Sequence, residues 1–256
     1  MSAAPSPAQL RADAEALARA AGAVLREGHG RAHRPERKGR IDLVTEYDRR
    51  AERLVIEGLA RRYPDHAVLA EESGASAPAT RAAPVRWIVD PLDGTTNFAH
   101  NYPFFCVSIA AEVGGTLAAA AGAGATLNGA ALEVSDIERV EDALLVTGFP
   151  YDVREHPERS LPLFEAFLVR AQGIRRDGSA ALNLCYLAAG RFDGFWEGHL
   201  SPWDMAAGVL IVREAGGRVT NYEGGELRLE RPEILASNGR IHEEMRVLLA
   251  GARARR

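Results

Sequence analysis

The sequence predicts a mixed α/β fold (α+β) in which layers of helices and strands pack alternately. Segments with apolar residues at helical spacing are separated by short apolar runs that are rich in branched and aromatic residues. The order of these segments is irregular, which indicates mixed connections between the strands. The sequence contains neither an internal repeat nor a clear linker, so residues 1–256 are predicted to form a single domain of two closely packed halves, roughly 1–140 and 141–256.

The composition narrows the class of function. The chain has 256 residues, of which 46% are hydrophobic, and it can bury a substantial core without disulfides. A formal charge of −4 and a pI near 6.0 provide no basic surplus, so nucleic acid is not expected as a partner. Cys106 and Cys185 lie in apolar segments and are predicted to be core thiols. Because there is neither a signal peptide nor a membrane-spanning apolar run, we expect no membrane partner and a cytoplasmic location.

The first element is a core-facing helix that begins at Ser6 and ends near Gly30. His29 and His33 are four residues apart, a spacing that would pair them on a helix. Gly30 and Pro35 disfavour a helix there, so both histidines are interpreted as solvated loop residues.

A second helix runs to about Tyr63 after a short strand-like segment at residues 41–44. Thr45 and Asp48 are three residues apart at the start of this helix. That spacing is typical of helix capping, which by itself explains both residues.

Two predicted strands then end in acidic residues. The strand at residues 67–70 is followed by Glu71 and Glu72, which could form a solvated turn or could be carboxylates aimed by a rigid strand. The next strand delivers Asp90 and Asp93 into a bend that contains proline and glycine.

The bend after this central strand suits a particular chemistry. Asp90 and Asp93 are compact oxygen ligands, the Leu92 carbonyl can face the same way, and such donors suit magnesium, manganese or calcium. The helix predicted to start after Gly94 offers backbone N–H groups to a phosphate. The alternative is that both aspartates only cap and turn a surface loop.

The second half continues the alternation of strands and helices. Asp204 lies in the first turn of a helix that opens at Ser201, where capping of the helix is an alternative to a functional role. The other predicted strands are 143–147, 173–176, 192–197, 219–222, 227–229 and 233–236, and the other helices are 158–172, 179–189 and 241–250.

Taken together, the acidic segments resemble those of the inositol monophosphatase family in their order along the chain and in their amino-acid sequences. The matching segments are DLVTEYD at 42–48, AEESG at 70–74, WIVDPLDGTTNF at 87–98, GSAA at 178–181, DGFWE at 193–197 and WDMAAG at 203–208. The resemblance implies a layered α-β-α-β-α sandwich of the inositol monophosphatase and fructose bisphosphatase type, with two or three Mg²⁺ ions as cofactors.

The resemblance also implies roles for individual residues. The ligands of the first magnesium ion would be Glu71, Asp90 and the Leu92 carbonyl. Those of the second would be Asp90, Asp93 and Asp204.

The other implied roles concern water and substrate. Thr95, hydrogen-bonded to Asp48, would position and activate the attacking water together with Glu71. The substrate-binding positions would be the Gly94 and Thr95 amides for the phosphate, Lys38 in a basic loop near the metals, and Ala180 and Glu197 for the hydroxyls of the alcohol.

The implied function is magnesium-dependent hydrolysis of a phosphate monoester, most closely inositol 1-phosphate, by attack of a metal-activated water. Alternative substrates are fructose bisphosphate, histidinol phosphate, NADP and adenosine bisphosphate. A non-enzymatic alternative is an idle relative that binds a protein or RNA partner. The hairpin between Gly114 and Gly129 is shorter than is usual in the family, and it leaves open the contacts of the homodimer that the resemblance also suggests.

Overall fold

The computed structural model describes residues 5–31, 35–38, 43–75, 83, 85–118 and 122–254. His33, Asp42 and most of the predicted loop between residues 75 and 84 lie outside this part of the chain. The chain divides into two compact units, unit 1 (Met1–Ala121) and unit 2 (Gly122–Arg256). Each unit has its own five-stranded sheet with helices packed against it.

The described part of unit 1 contains three α-helices and seven strands. The helices are α1 (Pro7–Gly28), α2 (Glu46–Arg62) and α3 (Thr95–Ala99). The strands are β1 (Glu36–Arg37), β2 (Leu43–Val44), β3 (Ala67–Ala70), β4 (Gly74–Ala75), β5 (Val85–Asp93), β6 (Cys106–Val113) and β7 (Thr116–Leu117).

The larger sheet of unit 1 has the strand order β4-β3-β5-β6-β7. β3 and β5 are parallel, and the other neighbours are antiparallel. α1 and α2 pack against each other and contact β6 and β5, respectively. Leu10, Leu17 and Leu25 of α1 are buried in one core with Trp87 and Phe98. The apolar stripe that predicted the first helix is therefore the side that packs on the sheet.

Residues 122–254 of unit 2 contain four α-helices, seven strands and two short 3₁₀-helices, at Val140–Asp142 and Pro157–Arg159. The α-helices are α4 (Leu161–Leu168), α5 (Ala180–Ala188), α6 (Pro202–Glu214) and α7 (His242–Arg253). The strands are β8 (Thr126–Leu127), β9 (Ala130–Ala131), β10 (Leu144–Thr147), β11 (Gly173–Arg175), β12 (Gly194–Gly198), β13 (Arg218–Thr220) and β14 (Glu233–Ser237).

The larger sheet of unit 2 has the strand order β11-β10-β12-β14-β13. β10 is parallel to β11 and β12, and β14 is antiparallel to β12 and β13. Leu145, Trp196 and Leu235 pack against α4 and α7, where Phe167 stacks on Trp196 with ring centroids 4.0 Å apart. α5 and α6 pack against each other and contact other parts of the sheet. The mixed α/β class predicted from the sequence is confirmed.

Two predicted elements of unit 2 are wrong or too long. Residues 227–229 do not form a strand, because the Arg231 amide donates to the Arg228 carbonyl at 2.9 Å and closes a turn there. The helix predicted at 158–172 is only Leu161–Leu168. Pro162 lies in its first turn, the part of a helix in which proline is tolerated, so the α-helix cannot begin as early as predicted.

The environment of His29 also differs from the prediction. Its ring is half-buried, with its centroid 5.2 Å from that of Phe105 and 6.3 Å from that of Phe98. The His29 amide donates to the Leu25 carbonyl at 3.0 Å, which holds the residue at the end of α1 and against this apolar surface. Cys106 and Cys185 are both half-buried rather than fully in the core.

Candidate active site

Asp90 and Asp93 lie together because β5 is irregular. In a regular strand, residues three apart point to opposite faces of the sheet. The pairing of β5 with β6 shifts between Asp90, which is opposite Ser108, and Asp93, which is opposite Cys106. A bulge of this kind redirects side chains. The two aspartates are buried, and a carboxylate oxygen of one lies within 4.8 Å of a carboxylate oxygen of the other.

Glu71 lies beside this pair at the end of the neighbouring strand. Its amide donates to the Val89 carbonyl at 3.2 Å and so extends the parallel pairing of β3 with β5. Burial raises the pKa of Glu71 to about 7, although the Lys38 ammonium and a hydrogen bond with Asp90 oppose the shift. The side chain is therefore poised between its acid and carboxylate forms near neutral pH.

Lys38 neutralises part of the acidic cluster. Its Nζ lies 3.2 Å from Glu71 Oε1 and also contacts the Glu72 carboxylate. Burial disfavours the charged form of Lys38, but the two glutamates raise its pKa above the ordinary value. Lys38 is thus a cation held at the cluster by two carboxylates.

Thr95 and Asp48 form the predicted hydrogen bond. The Thr95 hydroxyl lies 3.0 Å from Asp48 Oδ1 and 3.0 Å from the Leu92 carbonyl oxygen, and it can donate to either. Asp48 Oδ2 accepts the Thr45 amide at 2.8 Å, which forms the capping box of α2. Burial raises the pKa of Asp48, although hydrogen bonds from Thr45 and Thr95 oppose the shift. Asp48 therefore caps a helix and orients Thr95 at the same time.

Gly94 connects the bulged strand to α3. Its φ of 97° and ψ of 37° lie in the left-handed region, which a residue with a side chain rarely adopts. The turn places Thr95 at the first position of α3. The first amides of a helix lack intrahelical acceptors, so those near Gly94 suit a bound anion.

In unit 2, Asp204 lies in the first turn of α6. The Ser201 amide donates to Asp204 Oδ2 at 2.7 Å, as the capping alternative predicts. Asp204 is half-buried. Its carboxylate has a second oxygen for another function, so helix capping and ligand binding are compatible at this residue.

Ala180 and Glu197 also lie in unit 2. Ala180 is the first residue of α5, whose cap Ser179 accepts the Leu182 amide at 3.3 Å. Glu197 is the fourth residue of β12 and is 9% exposed. It lines a cavity of about 240 Å³ together with residues of β10, β14 and the loops beside them.

Sequence reasoning missed the role of Glu52. This buried residue of α2 accepts the Glu72 amide at 2.8 Å through Oε2, and so fixes the loop that carries Glu71 and Glu72. Glu52 follows Asp48 by four residues, and this spacing places the two carboxylates on one face of the helix. That spacing is the signal by which Glu52 could have been found.

Carboxylates at strand ends beside a helix N-terminus, within a mixed α/β fold, are compatible with a phosphate monoester hydrolase that could hold hard cations. A sequence profile of the inositol monophosphatase family matches residues 6–254. The chain belongs to the inositol monophosphatase family. The resemblance, the fold type and the phosphomonoesterase class inferred from the sequence are thereby confirmed.

Individual relatives agree with this assignment. A Synechocystis sp. protein named inositol-1-monophosphatase is 46% identical over 246 residues, which cover 90% of this chain and 85% of that protein. A Pseudomonas aeruginosa protein named Nus factor SuhB is 44% identical over 213 residues, which cover 77% of this chain and 79% of that one. The structure of an inositol monophosphatase from Anabaena (Nostoc) sp. superposes with a TM-score of 0.84 at 41% identity, and the match covers 94% of each chain.

No helix in the described part of the chain combines the length and the apolar character needed to cross a membrane.

Proposed function

We propose that the chain is a magnesium-dependent phosphatase that hydrolyses inositol 1-phosphate or a closely similar polyol monophosphate. The observation that carries the proposal is the buried pair Asp90 and Asp93, brought together by the bulge in β5 beside Glu71 and Thr95. Buried carboxylates at such short separation require a cation or protons to balance their charge. Their hard oxygen atoms fit Mg²⁺.

The proposed cation ligands follow the family. Glu71, Asp90 and the Leu92 carbonyl would hold one ion, and Asp90, Asp93 and Asp204 a second. A third ion is compatible with the same chemistry. When bound, such ions screen the charge of the phosphate and lower the pKa of the attacking water.

The chain's own residues position the other reactants. The Thr95 hydroxyl, held by Asp48, would orient the water, and the Glu71 carboxylate would accept a proton from it. The Gly94 and Thr95 amides would bind phosphate oxygens at the start of α3. The Lys38 ammonium would offset the negative charge that Glu71 and Glu72 place near the substrate.

The alcohol would be bound by residues of unit 2. The Glu197 carboxylate can accept hydrogen bonds from two hydroxyls, and the Ala180 backbone would meet another. The cavity lined by Glu197 also contains Arg159 and Arg253, but both guanidinium groups already pair with carboxylates, Arg159 with Asp152 at 2.8 Å and Arg253 with Glu233 at 3.0 Å. This balance of charge favours a neutral polyol over the second phosphate of a bisphosphate. On this proposal, both units form one phosphatase domain, and the protein acts in the cytoplasm. The resemblance to the family further suggests that the chain forms a homodimer.

The test is phosphate release from a panel of esters with Mg²⁺ or with EDTA. The panel contains inositol 1-phosphate, fructose bisphosphate, histidinol phosphate, NADP and adenosine bisphosphate. We expect release only with Mg²⁺ and the highest kcat/KM for inositol 1-phosphate. Mg²⁺ should also raise the melting temperature of the wild type, since a ligand that binds only the folded state stabilises it. A preference for another ester would redirect the substrate assignment, and no release from any ester would reject the phosphatase.

A second candidate function is binding of a protein or RNA partner. It is favoured by the 44% identity to a relative named Nus factor SuhB. The test is pull-down from a lysate with and without ribonuclease, comparing the wild type with Asp93→Asn. A partner that both proteins retain, together with no release of phosphate from any ester, would support this function over the phosphatase.

A further inference from the structure

Gly148 follows the last residue of β10 and lies beside Glu197 of the parallel strand β12. The final registered pair of these strands is Thr147 with Trp196, so Gly148 and Glu197 occupy the next positions along the two strands. The Thr147 hydroxyl donates to the Trp196 carbonyl at 2.6 Å and fixes the strands to each other at this point. Side chains at adjacent positions of neighbouring strands share one face of a sheet.

The Glu197 side chain extends into the space that a side chain at Gly148 would fill. A Cβ atom built at Gly148 would lie 2.0 Å from Glu197 Oε1, 2.3 Å from Oε2 and 2.3 Å from Cδ. These distances are far below van der Waals contact, and all three involve the carboxylate group itself. The φ of Gly148 is not positive, so glycine is required there for reasons of space and not of backbone conformation.

Both residues border the same cavity. Gly148 and Glu197 line the cavity of about 240 Å³. Because the hydrogen bond of Thr147 joins the two strands and the nearest atoms all belong to the Glu197 carboxylate group, that group is the part that must move if position 148 gains a methyl group.

We infer that Gly148 is a specificity-determining position: its missing side chain leaves the space in which the Glu197 carboxylate lies when it accepts the hydroxyls of a polyol ester. The inference rests on the proposed function. Gly148 touches no reacting atom and acts only through Glu197, so it governs the recognition of the alcohol and leaves the hydrolysis of the phosphate unaffected.

The experiment compares Gly148→Ala with the wild type on two esters. Inositol 1-phosphate has hydroxyls on its alcohol portion, whereas 4-nitrophenyl phosphate has none. We expect KM for inositol 1-phosphate to rise and its kcat/KM to fall about tenfold to a hundredfold, the loss expected for hydrogen bonds to a charged group. The kinetics with 4-nitrophenyl phosphate should change less than about twofold. Gly22→Ala is the matched control, because a Cβ there meets only Arg26 Nη1 at 3.7 Å on the exterior of α1.

A double-variant cycle tests the steric link directly. Glu197→Asp shortens the side chain by one methylene, so adding Gly148→Ala to that background should cost inositol 1-phosphate turnover little more. If Gly148→Ala alone melts much earlier than the wild type, the double variant should recover the lost melting temperature. Failure to recover it would overturn the inference.

The outcomes separate the two proposals. An inactive wild type would reject the proposed function. An active wild type whose Gly148→Ala variant shows equal losses on both esters, or no loss on either, would overturn the role of Gly148 and leave the proposed function standing.

Discussion

Asp93 of unit 1 and Asp204 of unit 2 are held in place in different ways. Asp93 depends on an irregularity of the backbone, since the shifted pairing of β5 with β6 is what brings its carboxylate near that of Asp90. Asp204 lies in a regular helix, and its own side chain holds the Ser201 amide. In unit 1 the backbone therefore positions the carboxylate. In unit 2 one side chain has both a structural role and a proposed functional one.

This difference determines what a substitution can show. An amide in place of the Asp93 carboxylate leaves the bulge intact, so an effect on activity is separable from folding. At Asp204, a change that removes the oxygen atoms also removes a helix cap, and only an isosteric change separates the two roles.

The largest effect is expected for Asp93→Asn. It removes one of two neighbouring negative charges while keeping the shape of the side chain, and we expect kcat/KM to fall about a thousandfold, equivalent to about 4 kcal/mol of transition-state stabilisation. The circular-dichroism melt should remain within a few degrees of the wild type. Asp65→Asn makes the same change at an exposed position and should alter neither quantity. Undiminished magnesium-dependent turnover in Asp93→Asn would reject the proposed metal site.

Asp204→Asn should reduce kcat/KM about a hundredfold, equivalent to about 3 kcal/mol. The amide oxygen of asparagine can still accept the Ser201 amide, so the cap of α6 and the melting temperature should be retained. Asp204→Ala is the comparison, because it removes the cap as well and should cost about 1 kcal/mol of stability in addition. If Asp204→Asn keeps full activity, the residue is a helix cap only.

Thr95→Val tests the hydroxyl shared between Asp48 and the Leu92 carbonyl. Valine keeps the branched shape but cannot donate to the buried Asp48 carboxylate, so we expect kcat/KM to fall about thirtyfold, the value of one hydrogen bond to a charged group. Thr95→Ser keeps the donor and should retain most of the activity. Equal losses in the two variants would point to packing of the missing methyl group instead.

The sequence predicted the strands and helices that carry the site residues more accurately than it predicted the contacts between those residues. β3 and the strand containing Asp90 follow directly from their apolar runs, and the capping box of Thr45 and Asp48 follows from their spacing. The bulge between Asp90 and Asp93 has no comparable signal, because it arises from the pairing of β5 with β6. Such tertiary pairing cannot be inferred from one strand alone.

Contacts between residues that are distant in the chain also could not be predicted from the sequence. His29 was interpreted as a loop residue because of the glycine beside it. Its ring instead packs on Phe105, which lies 76 residues after His29 in the sequence. Gly148 directly follows the strand predicted at 143–147, and only the position of the Glu197 carboxylate distinguishes it from other loop glycines. The resemblance to a family supplied proposed roles for the site residues, whereas spacing alone favoured helix capping at Asp48 and Asp204.

The smallest expected effect concerns buried histidines, which the two units also hold differently. In unit 1, His66 Nδ1 accepts the Trp87 indole N–H at 3.0 Å. In unit 2, His242 is fully buried, with Thr220 Oγ1 2.9 Å from Nε2 and Ser237 Oγ 2.9 Å from Nδ1. Burial lowers the pKa of His242 to about 4, and the charge of Arg218 adds to the shift. The folded state of unit 2 therefore keeps this imidazole neutral where an exposed one would be charged.

Because the pKa of His242 is lower in the folded state, its contribution to the free energy of unfolding is complete at pH values above the unfolded pKa of about 6.5. That contribution is lost as the pH falls towards 4, because the unfolded state then binds a proton that the folded state does not. We expect His242 to account for about 2 kcal/mol of the stability lost between pH 7.5 and pH 5.0 in urea unfolding. In His242→Gln that part of the pH dependence should disappear, even though the variant is less stable at both pH values. His100→Gln, at an exposed position, should keep the wild-type dependence. If His242→Gln keeps the full pH dependence, other groups account for it.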